Sequence, residues 1–365
     1  MESLRTLPLA EFPWDRLAPD AECARRHPDG IVDLSVGTPV DPTPAVVQQA
    51  LAAAADAPGY PLTAGTEELR VAACAWLRRR FGADVAPAAV LPVIGTKELV
   101  AWLPTLLGAT SVGFPALAYP TYDVGARLAG AGGRRVDALT GLGPERLDLL
   151  WINSPSNPTG RVLPVEHLRK TVEWARERGT VLASDECYAD LWYDGEPPAS
   201  VLSPDVCGGT HDGVLAVHSL SKRSNLAGYR AGFVAGDAQL VARLLERRKH
   251  AGMMVPAPVQ SAMTAALDDD EHVGAQRARY AARRATLAGA FSAAGFTVDD
   301  STAGLYLWVT RDEDCWTTVR WLAERGILVA PGEFYGPAGA RHIRVALTVT
   351  DERATVAAAR LRSAG

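Results

Sequence analysis

Short apolar runs alternate with longer amphipathic segments along the first part of the chain. The runs are too short for helices, and their nearly continuous apolar character predicts β-strands that are buried on both faces. The predicted strands are residues 89–94, 111–114, 149–153, 180–186, 213–219 and 230–236. The segments between them have helical spacing, and the predicted helices are residues 96–107, 121–130 and 164–179. This alternation predicts an α/β fold with a mainly parallel sheet flanked by helices.

The pattern changes after about residue 237. Residues 238–250 and 273–295 have the composition and spacing of helices, and the apolar runs that follow them are short and separated by one further helix. The chain ends in a helix that begins at Asp351. This part therefore predicts an α+β layer, which forms a second and smaller domain because 365 residues are too many for one simple core.

Composition narrows the class of protein. The chain is 48% hydrophobic and 22% charged, as is usual for a globular enzyme, and its net charge of −5 argues against a nucleic acid or an anionic membrane as partner. No apolar window is long enough to span a membrane, and the N-terminus lacks the apolar stretch of a signal peptide. The five cysteines are scattered singly, which fits reduced thiols, and we expect a cytoplasmic protein.

Familiar cofactor and metal motifs are missing from the sequence. It contains no G-x-G-x-x-G at a strand-to-helix turn, no Walker sequence and no H-E-x-x-H, so we predict no metal site. The candidate chemistry lies instead in five polar clusters near predicted strand ends. Ligands of open α/β sheets bind at the carboxyl ends of the strands, which is where these clusters would meet.

The first two clusters follow the strands at 89–94 and 111–114. Gly95 permits a close backbone approach, and Thr96 and Lys97 begin a helix whose free N–H groups can bind phosphate. An ordinary strand-to-helix turn is the alternative. Tyr119 and Tyr122 lie beside the next strand end, where one of them can stack on a flat ring or both can pack in the core.

The next two clusters carry amide and carboxylate groups. In "NSPSNPTG" the side chains of Asn153 and Asn157 stand in a turn fixed by two prolines, and an amide there can donate a hydrogen bond to a ligand oxygen. Asp185 follows an apolar strand, and a buried carboxylate needs a cationic partner such as a protonated pyridine nitrogen. Tyr188, three residues later, can reach the same ring. A helix-capping Asp is the alternative.

The fifth cluster is "SLSKRSNLAGYRAGFV", residues 219–234. Ser219, Ser221 and Arg230 offer two hydroxyls and a guanidinium, a suitable set for a phosphate. Lys222 lies among small residues, where desolvation and a nearby cation lower a lysine pKa, and such a lysine forms a Schiff base with an aldehyde. A solvated surface lysine is the alternative.

One ligand satisfies all of these clusters. It needs an aldehyde for Lys222, a basic ring nitrogen for Asp185, and a phenolic oxygen for Asn157 and Tyr188. It also needs a phosphate for the remaining phosphate-binding candidates, which are Gly95, Thr96, Lys97, Ser219, Ser221 and Arg230. Pyridoxal 5′-phosphate has these four features, and its enzymes pair a lysine Schiff base with an Asp at the pyridinium. We therefore predict pyridoxal 5′-phosphate as the cofactor.

The motifs resemble those of a known family. "SLSKRSNLAGYRAG" resembles the pyridoxal-phosphate attachment sequence of class I/II aminotransferases, and "NPTG", "DECY" and "RVALT" occur in that family's order. The resemblance covers nearly the whole chain. It implies fold type I, a homodimer with shared active sites, and amino acid and keto acid substrates. It also implies a small domain built from both termini, which we place at residues 1–40 and 256–365, around a large cofactor domain at 41–255.

The resemblance also implies roles for individual residues. Lys222 would be the catalytic residue, as Schiff-base lysine and proton carrier. The implied cofactor-binding residues are Gly95, Thr96, Lys97, Tyr119, Asn157, Asp185, Tyr188, Ser219, Ser221, Lys222 and Arg230, with Tyr60 reaching the phosphate from the other subunit. Gly37, Asn157 and Arg344 would contact the substrate, with Arg344 gripping its α-carboxylate.

Within the family, stretches such as "DLSVGTPVDPTP" and "ILVAPGEFYGP" resemble the actinobacterial N-succinyldiaminopimelate aminotransferases of lysine biosynthesis. The implied reaction converts N-succinyl-LL-2,6-diaminopimelate and 2-oxoglutarate to N-succinyl-2-amino-6-ketopimelate and glutamate. Lys97, Arg127 and Arg223 are candidates to hold the distal carboxylates, although each is equally compatible with a plain surface charge.

Three alternatives to this reaction stay open. The first is another aminotransferase of the class, with an acetylated or a general amino acid substrate. The second is a pyridoxal-phosphate β-lyase that cleaves carbon–sulfur bonds, because it would share every cofactor residue. A non-catalytic regulator that senses the cofactor is the third, and the lack of a helix-turn-helix extension and of a basic face argues against it.

Overall fold

A seven-stranded sheet forms the centre of the protein in the computed structural model, which describes residues 9, 11–136, 138–143 and 146–362. The strands are β1 Val32–Asp33, β2 Val90–Ile94, β3 Ser111–Pro115, β4 Gly132–Val136, β5 Leu149–Asn153, β6 Val181–Asp185, β7 Val214–Ser219, β8 Ala231–Gly236, β9 Thr297–Asp299, β10 Tyr306–Thr310, β11 Ile327–Leu328, β12 Ala330–Pro331 and β13 His342–Ala346.

Helices pack against this sheet and against a smaller one. They are α1 Ala18–Arg25, α2 Ala45–Ala53, α3 Glu67–Phe81, α4 Thr96–Leu107, α5 Thr121–Leu128, α6 Val165–Arg178, α7 Pro204–Cys207, α8 Leu220–Arg223, α9 Ala238–Ala251, α10 Ala257–Asp268, α11 Glu271–Ala293, α12 Cys315–Ala323 and α13 Asp351–Arg362. None of these helices is both long enough and apolar enough to cross a membrane.

The large sheet has the order β2-β8-β7-β6-β5-β3-β4. Strand β8 is antiparallel to both of its neighbours, and the other pairs are parallel. Strands β5, β6, β7 and β8 are buried along almost their whole length, as their apolar sequences require for a sheet covered on both faces. The mainly parallel sheet predicted from the sequence is therefore present.

A second sheet has the order β12-β13-β10-β9 and is antiparallel. Near it, β1 pairs in parallel with β11, and the Ala346 N–H donates to the carbonyl of Leu34 at 2.8 Å. The N-terminal segment is thus joined to the C-terminal part of the chain. The predicted domain boundaries at residues 40 and 255 stay a prediction.

The sequence patterns located six strands of the large sheet to within one or two residues, but they named no strand at β4. This edge strand reads Gly-Gly-Arg-Arg-Val and is largely exposed, so it lacks the apolar run by which the others were identified. Helices α2, α3 and α10 were also not named. The predicted helix at 164–179 is α6, with Pro164 as its N-cap and Gly179 as its left-handed C-cap.

A buried ion pair fixes the turn between β2 and α4. Arg248 on α9 is fully buried and donates to both carboxylate oxygens of Glu98, at 2.8 and 3.1 Å. Glu98 also accepts the N–H of Ile94 at 3.2 Å, so the pair holds the end of the strand against the first turn of the helix. A charge buried with one partner becomes costly when that partner is removed.

Arg248→Met should therefore lower the free energy of unfolding by about 3 kcal/mol, because Glu98 loses its cation inside the protein. The neighbouring Arg247 is exposed on the same helix, and Arg247→Met is the matched control with an expected change near zero. Urea unfolding at pH 7 measures both. Equal effects of the two substitutions would show that the ion pair does not stabilise this turn.

Candidate active site

The predicted site residues converge at the carboxyl ends of neighbouring strands. Asn153 ends β5, Asp185 ends β6 and Ser219 ends β7, and these three strands are adjacent in the sheet. Ile94, at the end of β2, pairs with Ala231, the residue after Arg230. The edge of the sheet thus collects residues from four of the five clusters.

Lys222 lies in the short helix α8, directly after β7. Its Nζ donates a hydrogen bond to the carbonyl of Gly37, on the loop after β1. Burial, together with the guanidinium groups of Arg344 and Arg230, lowers the pKa of Lys222 to about 8. A lysine with such a pKa is uncharged in about a tenth of molecules at pH 7, far more than an ordinary lysine, which makes it a competent nucleophile and base.

Asp185 is 6% exposed and has two neutral hydrogen-bond donors. The Tyr122 hydroxyl donates to Oδ2 at 2.9 Å, and the Cys187 N–H donates to Oδ1 at 3.2 Å. Burial raises the pKa of Asp185, because neither donor offsets the loss of water around the charge. A cationic ligand group beside this carboxyl would be strongly favoured.

Gly95 and Arg230 form one side of a polar hollow. Gly95 has a φ of 72°, and a Cβ there would overlap the guanidinium of Arg230. The Arg230 side chain also donates to the carbonyl of Ala227 at 2.8 Å. Only glycine lets the guanidinium pass so close to the backbone, as the sequence analysis expected for position 95.

The other side of the hollow carries hydroxyls and free backbone N–H groups. Thr96 begins α4, and a Cβ on Gly232 would come within 3.4 Å of its nitrogen. Gly232 pairs in the sheet with Ser219, whose hydroxyl accepts the N–H of Ser221 at 3.1 Å. A helix start, two serines and the nearby Arg230 suit the charge and the oxygen atoms of a phosphate.

Hydrogen bonds of the Asn153 side chain hold the turn that contains Asn153 and Asn157. The Asn153 side chain donates to the carbonyls of Pro155 and Asp185, at 3.0 and 2.8 Å, and accepts the Asn157 N–H at 2.7 Å. Asn157 in turn uses its side-chain oxygen to accept from Arg344 at 3.0 Å. Its amide nitrogen can then donate to a ligand oxygen, the role expected of it.

Arg344 lies on β13 and is 2% exposed. Besides Asn157, it donates to the Ser35 carbonyl at 2.7 Å, and its guanidinium stacks over the Tyr306 ring at 3.8 Å. The Tyr306 hydroxyl lies 3.4 Å from that of Tyr188, and a Cβ on Gly37 would overlap it. Tyr306 therefore contacts the loop of Gly37, the guanidinium of Arg344 and the hydroxyl of Tyr188.

Comparison with known proteins agrees with this geometry. The family model for aminotransferase class I and II matches residues 29–361. The chain is 66% identical to a probable aminotransferase of Mycobacterium tuberculosis, over 97% of this chain and 85% of that protein. It is 61% identical to the 4-dedimethylamino-4-oxo-anhydrotetracycline transaminase of Streptomyces rimosus, over 98% of this chain and 100% of that protein.

The chain belongs to the class I and II aminotransferases. A solved aminotransferase from Neisseria meningitidis is 29% identical, with a TM-score of 0.88 over 99% of both chains. A probable N-succinyldiaminopimelate aminotransferase from Thermus thermophilus is 31% identical, with a TM-score of 0.86 over 97% of this chain and 100% of that chain. The predicted fold type I is confirmed, and the protein is an aminotransferase.

Pyridoxal 5′-phosphate is the cofactor of this family, as the sequence predicted, and the residues present fit it. The buried carboxyl of Asp185 lacks a cationic hydrogen-bond donor, which a pyridinium provides. The hollow beside Thr96 and Arg230 has the donors that a phosphate requires. Lys222 has the lowered pKa that attachment to an aldehyde requires.

The three residues that were candidates to bind the distal carboxylates of the substrate have different surroundings in the structure. Lys97 is exposed, with its Nζ 5.7 Å from the Phe12 ring centre and 5.9 Å from that of Tyr119. Arg127 forms an ion pair with Asp123 at 2.8 Å on α5. Arg223 is 4% exposed and paired with Asp190, so the expectation of a surface charge at this position was wrong.

Three residues with contacts in the aminotransferase site were missed or misread in the sequence. Tyr122 was expected either to stack on a ligand ring or to pack in the core, yet its hydroxyl binds Asp185. Tyr306 carries no motif, and Trp14, whose ring centre is 5.8 Å from the Arg344 guanidinium carbon, precedes every recognised element. Contacts between elements that are distant in the chain bring these rings to the site, and a local pattern cannot reveal them.

Tyr60 is 97% exposed, and the contacts of the site described here do not involve it. This position is compatible with the expected role in another subunit, but it does not test that role. The stacking role of Tyr119 likewise stays a prediction, with its ring 6.5 Å from that of Tyr122.

The pKa of Lys222 predicts how the apoprotein recaptures its cofactor. Because the neutral amine is the nucleophile, the rate of attachment should rise about tenfold from pH 7 to pH 9 and level off above pH 9. Stopped-flow absorbance measures the rate, and borohydride trapping in Lys222→Ala gives the zero control. A rate that keeps rising beyond pH 10 would mean that this lysine has an ordinary pKa.

Proposed function

We propose that the protein transfers an amino group between L-glutamate and N-succinyl-2-amino-6-ketopimelate, in the diaminopimelate route to lysine. The observation that carries the proposal is the position of Lys97 beside Tyr119, which offers a second cation in addition to the buried Arg344. Both substrates have an α-carboxylate and at least one distal carboxylate. Two separated cations suit that arrangement.

In this proposal Arg344 binds the α-carboxylate. Its guanidinium is held by the Ser35 carbonyl, the Asn157 side chain and the Tyr306 ring, so that its orientation is set before a substrate arrives. A planar fork fixed in this way can bind a carboxylate through two parallel hydrogen bonds. The reacting carbon is thereby oriented toward Lys222.

Lys222 moves the proton. When bound, pyridoxal 5′-phosphate supplies the aldehyde that takes up the amino group and the ring that withdraws electrons. The free Nζ of Lys222 would take the proton from the substrate α-carbon and return it at the cofactor carbon that received the amino group. A positioned amine contributes roughly 10²–10⁴-fold to such a transfer. Asp185 would hold a proton on the ring nitrogen throughout.

The similarity to proteins of named substrate supports two candidates. The Thermus structure is described as a probable N-succinyldiaminopimelate aminotransferase, at 31% identity. The Streptomyces relative acts on 4-dedimethylamino-4-oxo-anhydrotetracycline and is 61% identical over nearly the whole of both chains, which favours amination of that ketone as the second candidate. Phe12 and Trp14, with Trp14 packed on the buried Phe334, lie near Lys97 and Arg344 and offer aromatic rings to a flat polycyclic acceptor.

A panel of acceptors distinguishes the candidates. With L-glutamate as donor, we expect the highest kcat/KM for N-succinyl-2-amino-6-ketopimelate, ahead of its acetyl analogue, 4-dedimethylamino-4-oxo-anhydrotetracycline and simple aliphatic keto acids. A preference for the tetracycline ketone would support the second candidate and reject the first. A comparable release of pyruvate and ammonia from cystathionine would indicate a β-lyase.

Lys97→Met should lower kcat/KM for the succinylated acceptor about fivefold, since an exposed ion pair is worth at most about 1 kcal/mol, and leave aliphatic keto acids within twofold. Lys249→Met, at an exposed lysine paired with Glu246 on α9, is the control and should change neither value. An equal loss for both classes of acceptor would place Lys97 at the cofactor and remove the argument for a distal carboxylate.

We also propose a homodimer in which Tyr60 completes the site of the other subunit. Tyr60 and Leu62 are 97% and 64% exposed on one loop, and Val46 and Val71 on the neighbouring helices are also exposed. Large apolar side chains exposed on one loop, such as Tyr60 and Leu62, favour burial against a partner. A second copy of the chain is the partner that this family typically has.

Mixing Lys222→Ala with Tyr60→Ala should restore activity to about a quarter of the wild-type value, because half of the dimers are hybrids and each has one intact site. The measurement is the transamination rate after denaturant-assisted subunit exchange, with each variant exchanged alone as the control. Complete exchange without recovery would mean that Tyr60 acts in its own chain or has no role.

A further inference from the structure

A buried polar cluster made of Glu186, His218 and Arg223 lies behind the cofactor residues. The three are 2%, 3% and 4% exposed. Each is the chain neighbour of a predicted cofactor residue: Asp185 for Glu186, Ser219 for His218 and Lys222 for Arg223. The cluster is therefore attached to the three segments that must hold the cofactor.

The cluster faces away from the cofactor. Successive side chains of a strand point to opposite faces, so His218 lies on the other face of the sheet from Ser219. The His218 ring packs among those of Trp76, Phe81 and Phe233, with ring centres 4.9, 5.7 and 5.2 Å away. These rings separate the cluster from bulk water.

Several polar atoms of the cluster have no protein partner. Glu186 Oε1 accepts the Val201 N–H at 2.8 Å. Within residues 11–136, 138–143 and 146–362, however, Glu186 Oε2, both ring nitrogens of His218 and Arg223 Nε have no hydrogen bond. Glu186 Oε2 and His218 Nε2 are 3.5 Å apart, too far for a direct bond of normal strength. The Ser184 and Ser200 hydroxyls lie near the Glu186 carboxyl, and the Glu186 backbone carbonyl lies near the His218 ring. A bridging water can supply the partners that remain.

There is space for such a bridge. The three side chains line a small cavity together with Trp76, Phe233 and Leu267. Its size is that of about one water molecule, and a buried water needs two to four polar partners. The carboxyl, the imidazole and the guanidinium provide them.

His218 is uncharged. Burial and the neighbouring guanidiniums of Arg223 and Arg80 lower the pKa of His218 to about 3. Glu186 therefore has no histidine cation as its partner. Burial raises the pKa of Glu186 to about 7, against the opposing effect of the Ser200 hydroxyl and the Val201 N–H.

The nearby arginines are engaged elsewhere. Arg223 Nη1 lies 3.0 Å from Asp190 Oδ2, and Arg80 Nε lies 3.2 Å from Asp190 Oδ1. The charged and titratable groups that face Glu186 are thus Asp185 on its own strand, His218 on β7, Arg223 on α8, Arg80 on α3 and Asp190 in the following turn. Asp185 opposes a second negative charge at this place.

We propose that Glu186, His218 and Arg223 bind one buried water, with Glu186 protonated and donating to it, and that this cluster positions the segments of Asp185, Ser219 and Lys222 from behind. Glu186 is then a positioning residue and not a catalytic one. The neutral Glu186 and the neutral His218, joined through the water, link the end of β6 to β7 without placing a second anion beside Asp185. The inference rests on the proposed roles of those three cofactor residues, but its tests do not depend on turnover.

Glu186→Gln tests the proton directly in the holoenzyme, because glutamine keeps the shape of the protonated acid. Infrared spectroscopy at pH 5.5 should show the C=O band of a buried carboxylic acid in the wild type and in the control Glu166→Gln, at an exposed residue of α6. The band should be absent from Glu186→Gln. Identical spectra of all three proteins would overturn the proposal.

Stability gives an independent measurement. A carboxyl whose folded-state pKa is raised loses stability as the pH rises from its unfolded value to its folded value. The ratio of the folding equilibrium constant of Glu186→Gln to that of the wild type should therefore increase roughly 30-fold between pH 5.5 and pH 8. Urea unfolding of both holoenzymes measures the ratio. A ratio that stays constant over this range would mean that Glu186 is ionised in the native state.

The positioning role has its own test. Glu186→Ala removes both the donor and the partner of the water, so pyridoxal 5′-phosphate should dissociate at least tenfold faster, whereas Glu186→Gln should stay within twofold of the wild type. Equal losses in the two variants would show that the charge of Glu186 is required. A high-resolution crystal structure of the holoenzyme should contain the water, and an empty cavity would contradict its binding.

Discussion

The buried carboxyl of Asp185 is the constraint on which the rest of the site depends. It lies at the end of a strand that is covered on both faces, and both of its hydrogen-bond donors are neutral. An ionised carboxylate in that place is costly without a cation. The folded chain therefore has a buried carboxyl without a cationic hydrogen-bond donor among the described residues, and a bound pyridinium would provide one. The fold supplies this constraint before any substrate is present.

The other charged groups are arranged around that carboxyl so that they do not neutralise it. Lys222 donates to the Gly37 carbonyl, and Arg344 is held by Asn157 and the Ser35 carbonyl. Each cation is thus kept at a distance from Asp185 by a backbone or amide oxygen. One side of the ligand space can then bind the ring nitrogen, while the other binds a carboxylate. The Glu186 cluster, on the far side of the sheet, would let the strands carry these groups without a further anion.

Most strands of the large sheet and several candidate site residues could be predicted from the sequence, because the apolar runs are regular and the functional groups follow them directly. Asp185, Lys222 and Asn157 were identified as residues that follow strands, and the strands were found from hydrophobicity alone. Tyr122 was misread because a tyrosine beside a strand has the same local pattern whether it packs or binds a carboxylate. Arg223 was misplaced because burial on the rear face of the sheet depends on α3 and α10, which were not predicted.

The substrate was the least predictable part, since its distal groups meet exposed side chains whose positions no periodic pattern fixes. The chemistry itself is tested most directly by a single turnover. Holoenzyme mixed with L-glutamate and no keto acid should release one equivalent of 2-oxoglutarate per subunit, lose its visible absorbance in step, and release no ammonia. Continued release of ammonia, or the absence of 2-oxoglutarate, would contradict the account of this site as one built for amino-group transfer.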